Sequence, residues 1–360
     1  MNRSISTVST PTERTLLPER LAAEALDSVR DILAEAASAN TTRSYATALR
    51  YWAAWFQARY AQPFALPIPE ATVIQFVVDH VARRARSGLT HDLPPAVDRL
   101  LVASGVKARP GPLKLSTVVH RIAVLSRVHA LRKVSNPCEQ PAVRHLLSRG
   151  RRAAVKRGER PRKKTAITRI ELEAMLATCD DSLEGIRDRA ILLFGFASGG
   201  RRRSEIASAD MASLTRAGAD AYLYRLEHSK TQQAGATPGT AADKPIVDIA
   251  AEALRVWLGA ASISEGPIFR RLWRNRLGPA LSPAAIAAIV QRRAQRAGVK
   301  GDFGGHSLRS GFVTEAGRQG VPLPDVMAMT GHTSVPTVIG YFQSGSATNN
   351  PAARLLTTKS

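Results

Sequence analysis

Between Arg149 and Lys164 the chain sets nine Lys and Arg residues against a single acid, Glu159. No core absorbs such a run, so it lies on a surface and divides the chain into two parts that need separate cores. At 360 residues the chain is long enough for both. The run itself reads as a solvated linker or as a segment that tracks a polyanion backbone.

The apolar spacing limits each part. Residues 20–37 carry apolar positions at helical steps up to a stop at Ser38-Ala39-Asn40. Thr41 or Thr42 can cap a second helix, with Tyr45, Leu49, Trp52 and Phe56 on one face. A third is expected from Pro69 to Arg86, and a mostly looped stretch with room for one short helix follows at 87–114, rich in Gly and Pro. Ser116 or Thr117 can cap a fourth, with Val118, Ile122, Leu125 and Val128 inward, and Val143 to Val155 forms a basic last one. The first part reads as an all-α bundle over 20–158, after a Ser/Thr/Pro-rich flexible tail at 1–19 without the apolar stretch of a secretory signal.

After a basic linker at 159–166, Thr168 and Glu171 form a capping-box pair, and helices are expected at 168–178 and 185–198. The period then changes to two, with Tyr222, Tyr224 and Leu226 alternating with Leu223 and Arg225 as a strand, and Pro245 to Ile249 a second. Helices return at 250–260, 282–297, 307–319 and 324–330, and a last one includes Tyr341. The fold class is mainly α, with one small antiparallel sheet in the second part, which spans 167–345 before a tail at 346–360.

Fifty-one Lys and Arg against 29 Asp and Glu leave a charge of +22. Such an excess suits a polyanion partner, and nucleic acid is the commonest; an arginine-rich genome is the alternative source. Aromatics are only 5 %, which disfavours single-strand stacking platforms and favours duplex backbone contact. The longest apolar runs, such as Ala190 to Ala197, fall short of the ~18 residues of a membrane span. Cys138 and Cys179 show no CxxC or Cys/His spacing, which argues against a zinc site or a disulfide framework and suits a reducing cytoplasm.

Transfer of a phosphodiester needs fixed cations on the non-bridging oxygens, a deprotonated nucleophile and a proton for the leaving oxygen. Four stretches hold such groups. Gly199-Gly200-Arg201-Arg202-Arg203-Ser204-Glu205-Ile206 follows an apolar helix, and alone it reads equally as a solvated helix end with Arg201 and Glu205 paired. Lys230, in Glu227 to Gln232 after the strand, alone is a turn lysine. His306 and Arg309 stand one helical turn apart, but His80/Arg83 and His129/Arg132 share that spacing. Last, Gly331 can end a helix, Thr333 or Ser334 can cap the next, Pro336 fits its first turn, and Tyr341 sits two turns in, where a core role is the plainer account.

Together these stretches resemble the tyrosine recombinase (phage integrase) family. Its Gly-x-Arg-x-Ser-Glu-Leu pattern places the first arginine at Arg202, although Arg201 and Arg203 flank it and a slip by one would move the assignment. Its hairpin lysine matches Lys230, its His-x-x-Arg pair His306 and Arg309, and its Gly-His followed nine residues later by a tyrosine matches His332 and Tyr341. Residues 40–56 are similar to the family's helical core-binding domain. The resemblance implies that Arg202, Arg309 and His332 hold the scissile phosphate. Tyr341 attacks as a phenolate with help from His306, Lys230 protonates the departing 5′-oxygen, and Glu205 buttresses the site. It further implies a 3′-phosphotyrosine, no metal, ATP or small-molecule cofactor, no membrane, a cytoplasmic setting, and a homotetramer on double-stranded DNA.

Thr41, Arg43, His120, Arg121, Arg162 and Lys163 are candidate DNA contacts by position. Three other functions remain open: a type IB topoisomerase with the same chemistry, a catalytically silent DNA-binding protein of the same fold, and a two-metal transposase, for which no acidic constellation stands out.

Overall fold

A computed structural model describes residues 39–86, 88–159, 164–226, 243–274 and 276–342. The expected helix at 20–37, the linker residues Arg162 and Lys163, the hairpin residue Lys230 and the tail after Phe342 lie outside the described residues. The chain divides into two compact units, Met1–Pro161 and Arg162–Ser360.

In the first unit, α1 (Ala39–Tyr60) buries Ala48, Tyr51, Trp52 and Trp55, at helical steps of three, one and three. This stripe is turned slightly from the expected one: Trp52 is at its centre, while Tyr45, Leu49 and Phe56 are half-buried. The ring of Phe76, on α2 (Glu70–His80), stacks on Trp52 at 3.7 Å and meets Trp55 edge-on at 5.0 Å. α2 ends at His80 rather than Arg86. Past Val81, the residues Arg83, Arg84 and Arg86 offer a further turn nothing to bury. The chain instead forms the hairpin of β1 (Arg83–Ala85) and β2 (Gly88–Thr90), closed at Gly88 with φ 111°. The bundle therefore carries a small sheet. α3 (Pro95–Ala103), α4 (Leu115–Leu131) and α5 (Pro141–Lys156) complete it. α4 starts ahead of both hydroxyl residues offered as its cap: Lys114 holds the N-cap position, with no side-chain cap hydrogen bond.

The second unit opens as the Thr168/Glu171 pair requires: the Thr168 N–H donates to Glu171 Oε2 at 2.8 Å at the start of α6 (Arg169–Leu176). The central helix α7 (Leu183–Ala197) is capped by Ser182 and buries Ile191, Leu192 and Phe194. Asp188 on α7 is fully buried and takes Arg293 Nε at 2.8 Å, which joins it to α10 (Pro283–Arg296). After the short α8 (Arg203–Ala207) comes a three-stranded antiparallel sheet of β3 (Leu214–Arg216), β4 (Ala221–Arg225) and β5 (Asp243–Val247), in that order. Tyr222 and Tyr224 point inward, as the alternation requires. α9 (Asp248–Ala260) packs on α7, and β6 (Arg270–Trp273) pairs with β7 (Arg276–Ala280) in a second hairpin, additional to the one sheet expected. Three helices finish the unit: α11 (Ser307–Arg318), α12 (Leu323–Thr330) and α13 (Val335–Tyr341). The fold is thus mainly α with small antiparallel sheets. Among the described residues no helix is long and apolar enough to cross a membrane.

Candidate active site

α7 ends in Gly199 and Gly200, both with positive φ, at 97° and 68°. A Cβ on Gly200 would stand 2.5 Å from the Arg309 Cα, so only glycine lets the first arginine segment lie against α11. The turn sends three successive arginines to three environments. Arg201 is fully buried and its Nη2 donates to the Met329 carbonyl at 2.6 Å. Arg202, at the N-cap position of α8 with its side chain 16 % exposed, donates from Nη1 to Glu205 Oε1 at 2.5 Å. Arg203 is exposed, its stem against Gly305. Glu205 also accepts from the Arg202 backbone N–H at 3.0 Å and stands 3.8 Å from Arg201 Nη1.

Arg309, in the first turn of α11, is fully buried. Its Nη2 donates to the Thr330 carbonyl at 2.5 Å and approaches His332 Nε2 at 3.2 Å, and its Nη1 reaches the Gly200 carbonyl at 3.3 Å. His306 holds the N-cap position of the same helix and is exposed, so the pair shares a turn but not an environment. Gly331 ends α12 in the left-handed conformation (φ 69°), as its position between two helices requires, and brings back His332, which is 6 % exposed. Its Nδ1 lies 2.7 Å from Thr330 Oγ1. The half-buried ring of Tyr341 stands 5.2 Å from the His332 ring, and the Arg309 Cζ is 5.7 Å from the Tyr341 ring centre. Val313, Ala316, Val326 and Val338 support that phenol from behind.

The carboxyl end of α12 organises the centre. Lys244 Nζ donates to the Ala328 carbonyl at 2.6 Å, Arg201 to Met329 and Arg309 to Thr330, so three cations take three successive carbonyls that the helix leaves without internal partners.

Burial is the first cause of the electrostatic shifts. It lowers Arg309 to about 10, with the Arg202 and Arg201 charges adding to it. Burial also takes Lys244 down to about 8, again with Arg201 beside it. His332 falls to about 4 by burial and by Arg309, Arg202 and Arg201, so it is neutral at pH 7. Burial alone would raise Glu205, but the Arg201 charge and the Arg202 contacts outweigh it and hold the carboxyl below its usual range.

Of the six sequence-marked residues, Arg202, Arg309, His332 and Tyr341 therefore converge, His306 sits exposed beside them in sequence with Arg309, and Lys230 is outside the described residues. Thr41 and Arg43 are exposed on α1, and His120 on α4 reaches the same surface through a 2.9 Å contact between its Nε2 and Ser44 Oγ. Arg121 departs from expectation. It is 8 % exposed, its Cζ lies 3.3 Å from the Tyr51 ring centre, and burial lowers its pKa. A single residue step, about 100° around α4, separates surface from core, and Arg121 falls on the core side. Three residues that had no site role in the sequence pattern also stand at the centre: Arg201, Lys244 and Thr330. For Lys244 the signal was present, since alternation with buried Ile246 puts it on the inner face of β5. Among the described residues no cluster of His, Cys, Asp and Glu could hold a metal ion.

A sequence profile of the phage integrase family matches residues 165–347. The integrase/recombinase xerD homolog of Selenomonas ruminantium is 32 % identical over 246 residues, covering 64 % of this chain and 69 % of the relative. Recombinase cre of Escherichia phage P1 is 23 % identical over 262 residues, covering 68 % and 75 %. In fold, the chain is similar to XerH site-specific recombinase bound to a palindromic difH substrate, with a TM-score of 0.54, 15 % identity, and coverage of 94 % of this chain and 85 % of that one. Just over half of the chain matches the family profile, and this protein belongs to the phage integrase family, the tyrosine recombinases.

Proposed function

We propose that this recombinase cuts and rejoins duplex DNA at specific sites through a 3′-phosphotyrosyl bond to Tyr341. The observation that carries the reading is the convergence of Arg202, Arg309, His332 and Tyr341 from three distant stretches, with a buried guanidinium 5.7 Å from the phenol ring. In this reading Arg202 and Arg309 hold the non-bridging oxygens of the scissile phosphate. Arg202 has the exposure and Arg309 the rigidity for it, and Glu205 fixes the angle of Arg202. His332 donates a further hydrogen bond to the phosphate in the transition state. The Tyr341 oxygen attacks phosphorus, the bond from phosphorus to the 5′-oxygen breaks, and Lys230 supplies the proton that oxygen needs. The phosphotyrosine conserves the energy of the broken bond, so rejoining needs neither ATP nor a metal.

Exposed Thr41, Arg43 and His120, with Arg162 and Lys163, are the proposed backbone contacts. The lambda integrase tetramer on a Holliday junction, a chain of similar fold, supports a four-protomer synapse for this protein too. Its proposed setting is the cytoplasm.

Incubation with a randomised pool of nicked duplexes, then denaturation in SDS, tests the chemistry. Wild type is expected to form a covalent adduct, with or without EDTA, and Tyr341→Phe to form none. An adduct that persists in Tyr341→Phe removes this mechanism.

A further inference from the structure

Thr330 is fully enclosed at the end of α12, and none of its roles follows from the phosphate-binding set. Its hydroxyl has one proton. Oγ1 lies 2.7 Å from the Val326 carbonyl, which can only accept, so the proton points there. The same Oγ1 lies 2.7 Å from His332 Nδ1 and has only lone pairs left to offer it. Nδ1 therefore carries a hydrogen. The opposite edge of the ring gives the same answer independently. Nε2 is 3.2 Å from Arg309 Nη2 and 3.4 Å from its Nε, and guanidinium nitrogens only donate. Nε2 therefore presents a lone pair. A second proton on the ring is disfavoured by burial and by the Arg309, Arg202 and Arg201 charges, which put His332 at about 4.

We propose that Thr330 is a positioning residue that locks His332 in the Nδ1–H tautomer, so that Nε2 enters the reaction as the proton acceptor for Tyr341. The second half rests on the recombinase reading above; the first does not. When phosphate oxygens take the N–H groups of Arg309, Nε2 loses the donors it has in the free protein, and a bare lone pair would face an anion. The phenol of Tyr341, its ring 5.2 Å from the imidazole, supplies the missing proton. The Oη–H bond of Tyr341 breaks, the Nε2–H bond of His332 forms, and the phenolate oxygen attacks phosphorus. The phosphate anion offsets the arginine charges that disfavour this proton in the free protein, and His332, now an imidazolium, has at Nε2 the hydrogen it needs to bond a non-bridging oxygen. Charge is conserved in the transfer, and the departing 5′-oxygen still takes its proton from Lys230. His306, exposed at the start of α11, is then free of the base role that the family resemblance suggested.

Two measurements on the full chain test this. The first is 15N NMR of histidine-labelled protein without DNA, where two- and three-bond couplings to the ring protons distinguish the tautomers and His332→Gln assigns the signal. Wild type and Thr330→Ser are expected as Nδ1–H; Thr330→Val, nearly the same shape without the hydroxyl but with the Arg309 donors still at Nε2, is expected to become a mixture of the two tautomers. The second is the single-turnover rate of SDS-stable adduct on duplexes recovered from the randomised pool. Thr330→Val should lose on the order of tenfold to a hundredfold in rate with DNA affinity unchanged, within the 10²–10⁴ span of a general base, and Thr330→Ser should recover most of it. An Nε2–H signature in wild type, or an unmoved one in Thr330→Val, overturns the lock. A tautomer shift with no change in rate overturns the acceptor role. The expected signatures with no adduct from wild type on any duplex would sink the recombinase reading and the acceptor role with it, while the lock itself would be upheld.

Discussion

Arg201, Arg202 and Arg203 are chemically identical and adjacent, yet one is in the core, one at the rim and one on the surface. The difference is made by neighbours, and Glu205 is the one that matters most. It is buried between Arg201 and Arg202, and with it the region holds a countercharge for a guanidinium that has no access to water. Glu205→Gln keeps the shape and removes the charge. Leaving a buried cation unpaired costs about 3–5 kcal/mol, so urea unfolding at pH 7 should show a loss of that order. The pH dependence has a definite sign. The folded carboxyl is held below its ordinary value, so the stability it contributes is present above the unfolded value of about 4.3 and is lost as pH falls through the lower folded value. Wild type should therefore lose its advantage over Glu205→Gln in acid, and a gap that stays constant down to pH 3 would count against this pairing. Motif spacing alone could not sort the three arginines. The sequence pattern pointed to Arg202, but only the Gly199-Gly200 turn and the Met329 carbonyl explain why Arg201 is the one turned inward. Arg121 is the opposite lesson, since a basic residue beside exposed His120 looked like surface and instead lies on the Tyr51 ring.

At the scale of elements, α12 is short, yet its carboxyl end receives a lysine from β5, an arginine from the turn after α7 and an arginine from α11. These are the segments that carry, or directly follow, three of the sequence-marked stretches, and α12 leads straight into the fourth. Lys244 is the member with a removable charge and no proposed contact with DNA. Lys244→Met keeps the stem and deletes the donor. A cation at a helix carboxyl end contributes about 1 kcal/mol, so the Gly331 and His332 amides, which both donate to the Met327 carbonyl, should exchange with deuterium roughly fivefold faster, with α7 unchanged. Equal protection in both proteins would show that Lys244 holds nothing there. Most of this architecture was legible beforehand: the helices from α6 to α13, apart from the short α8, follow apolar steps, the Thr168/Glu171 pair and the Gly331 stop. What was not legible has a physical cause. β6 and β7 contain Arg270, Arg271 and Arg276, which dilute the alternation, and β1 and β2 arise because α2 runs out of apolar residues rather than from any strand signal of their own.

For the whole molecule the charge of +22 is the dominant property, and its distribution makes it testable. Arg149, Arg151, Arg152 and Lys156 are all exposed along α5, a helix with no acidic residue of its own. Two accounts compete: a solvated charged surface, or a face that neutralises DNA phosphates. They differ in counterion release. Each phosphate contact on duplex DNA contributes about −0.9 to the slope of log K against log salt. If α5 tracks the backbone, replacing Arg149, Arg151 and Arg152 together by Gln should make the slope shallower by about 2 to 3. Affinity should fall at low salt and converge with wild type as salt rises, because both lose the same screened term. If these residues are only a solubilising surface, the slope stays the same and any loss of affinity is equal at every salt concentration. Binding titrations of the two proteins on one duplex over a fourfold range of salt separate the accounts. They also bear on specificity, since phosphate contacts position a protein on DNA without reading its sequence. The substitutions should weaken binding to unrelated duplexes by the same factor as binding to a duplex recovered from covalent adducts.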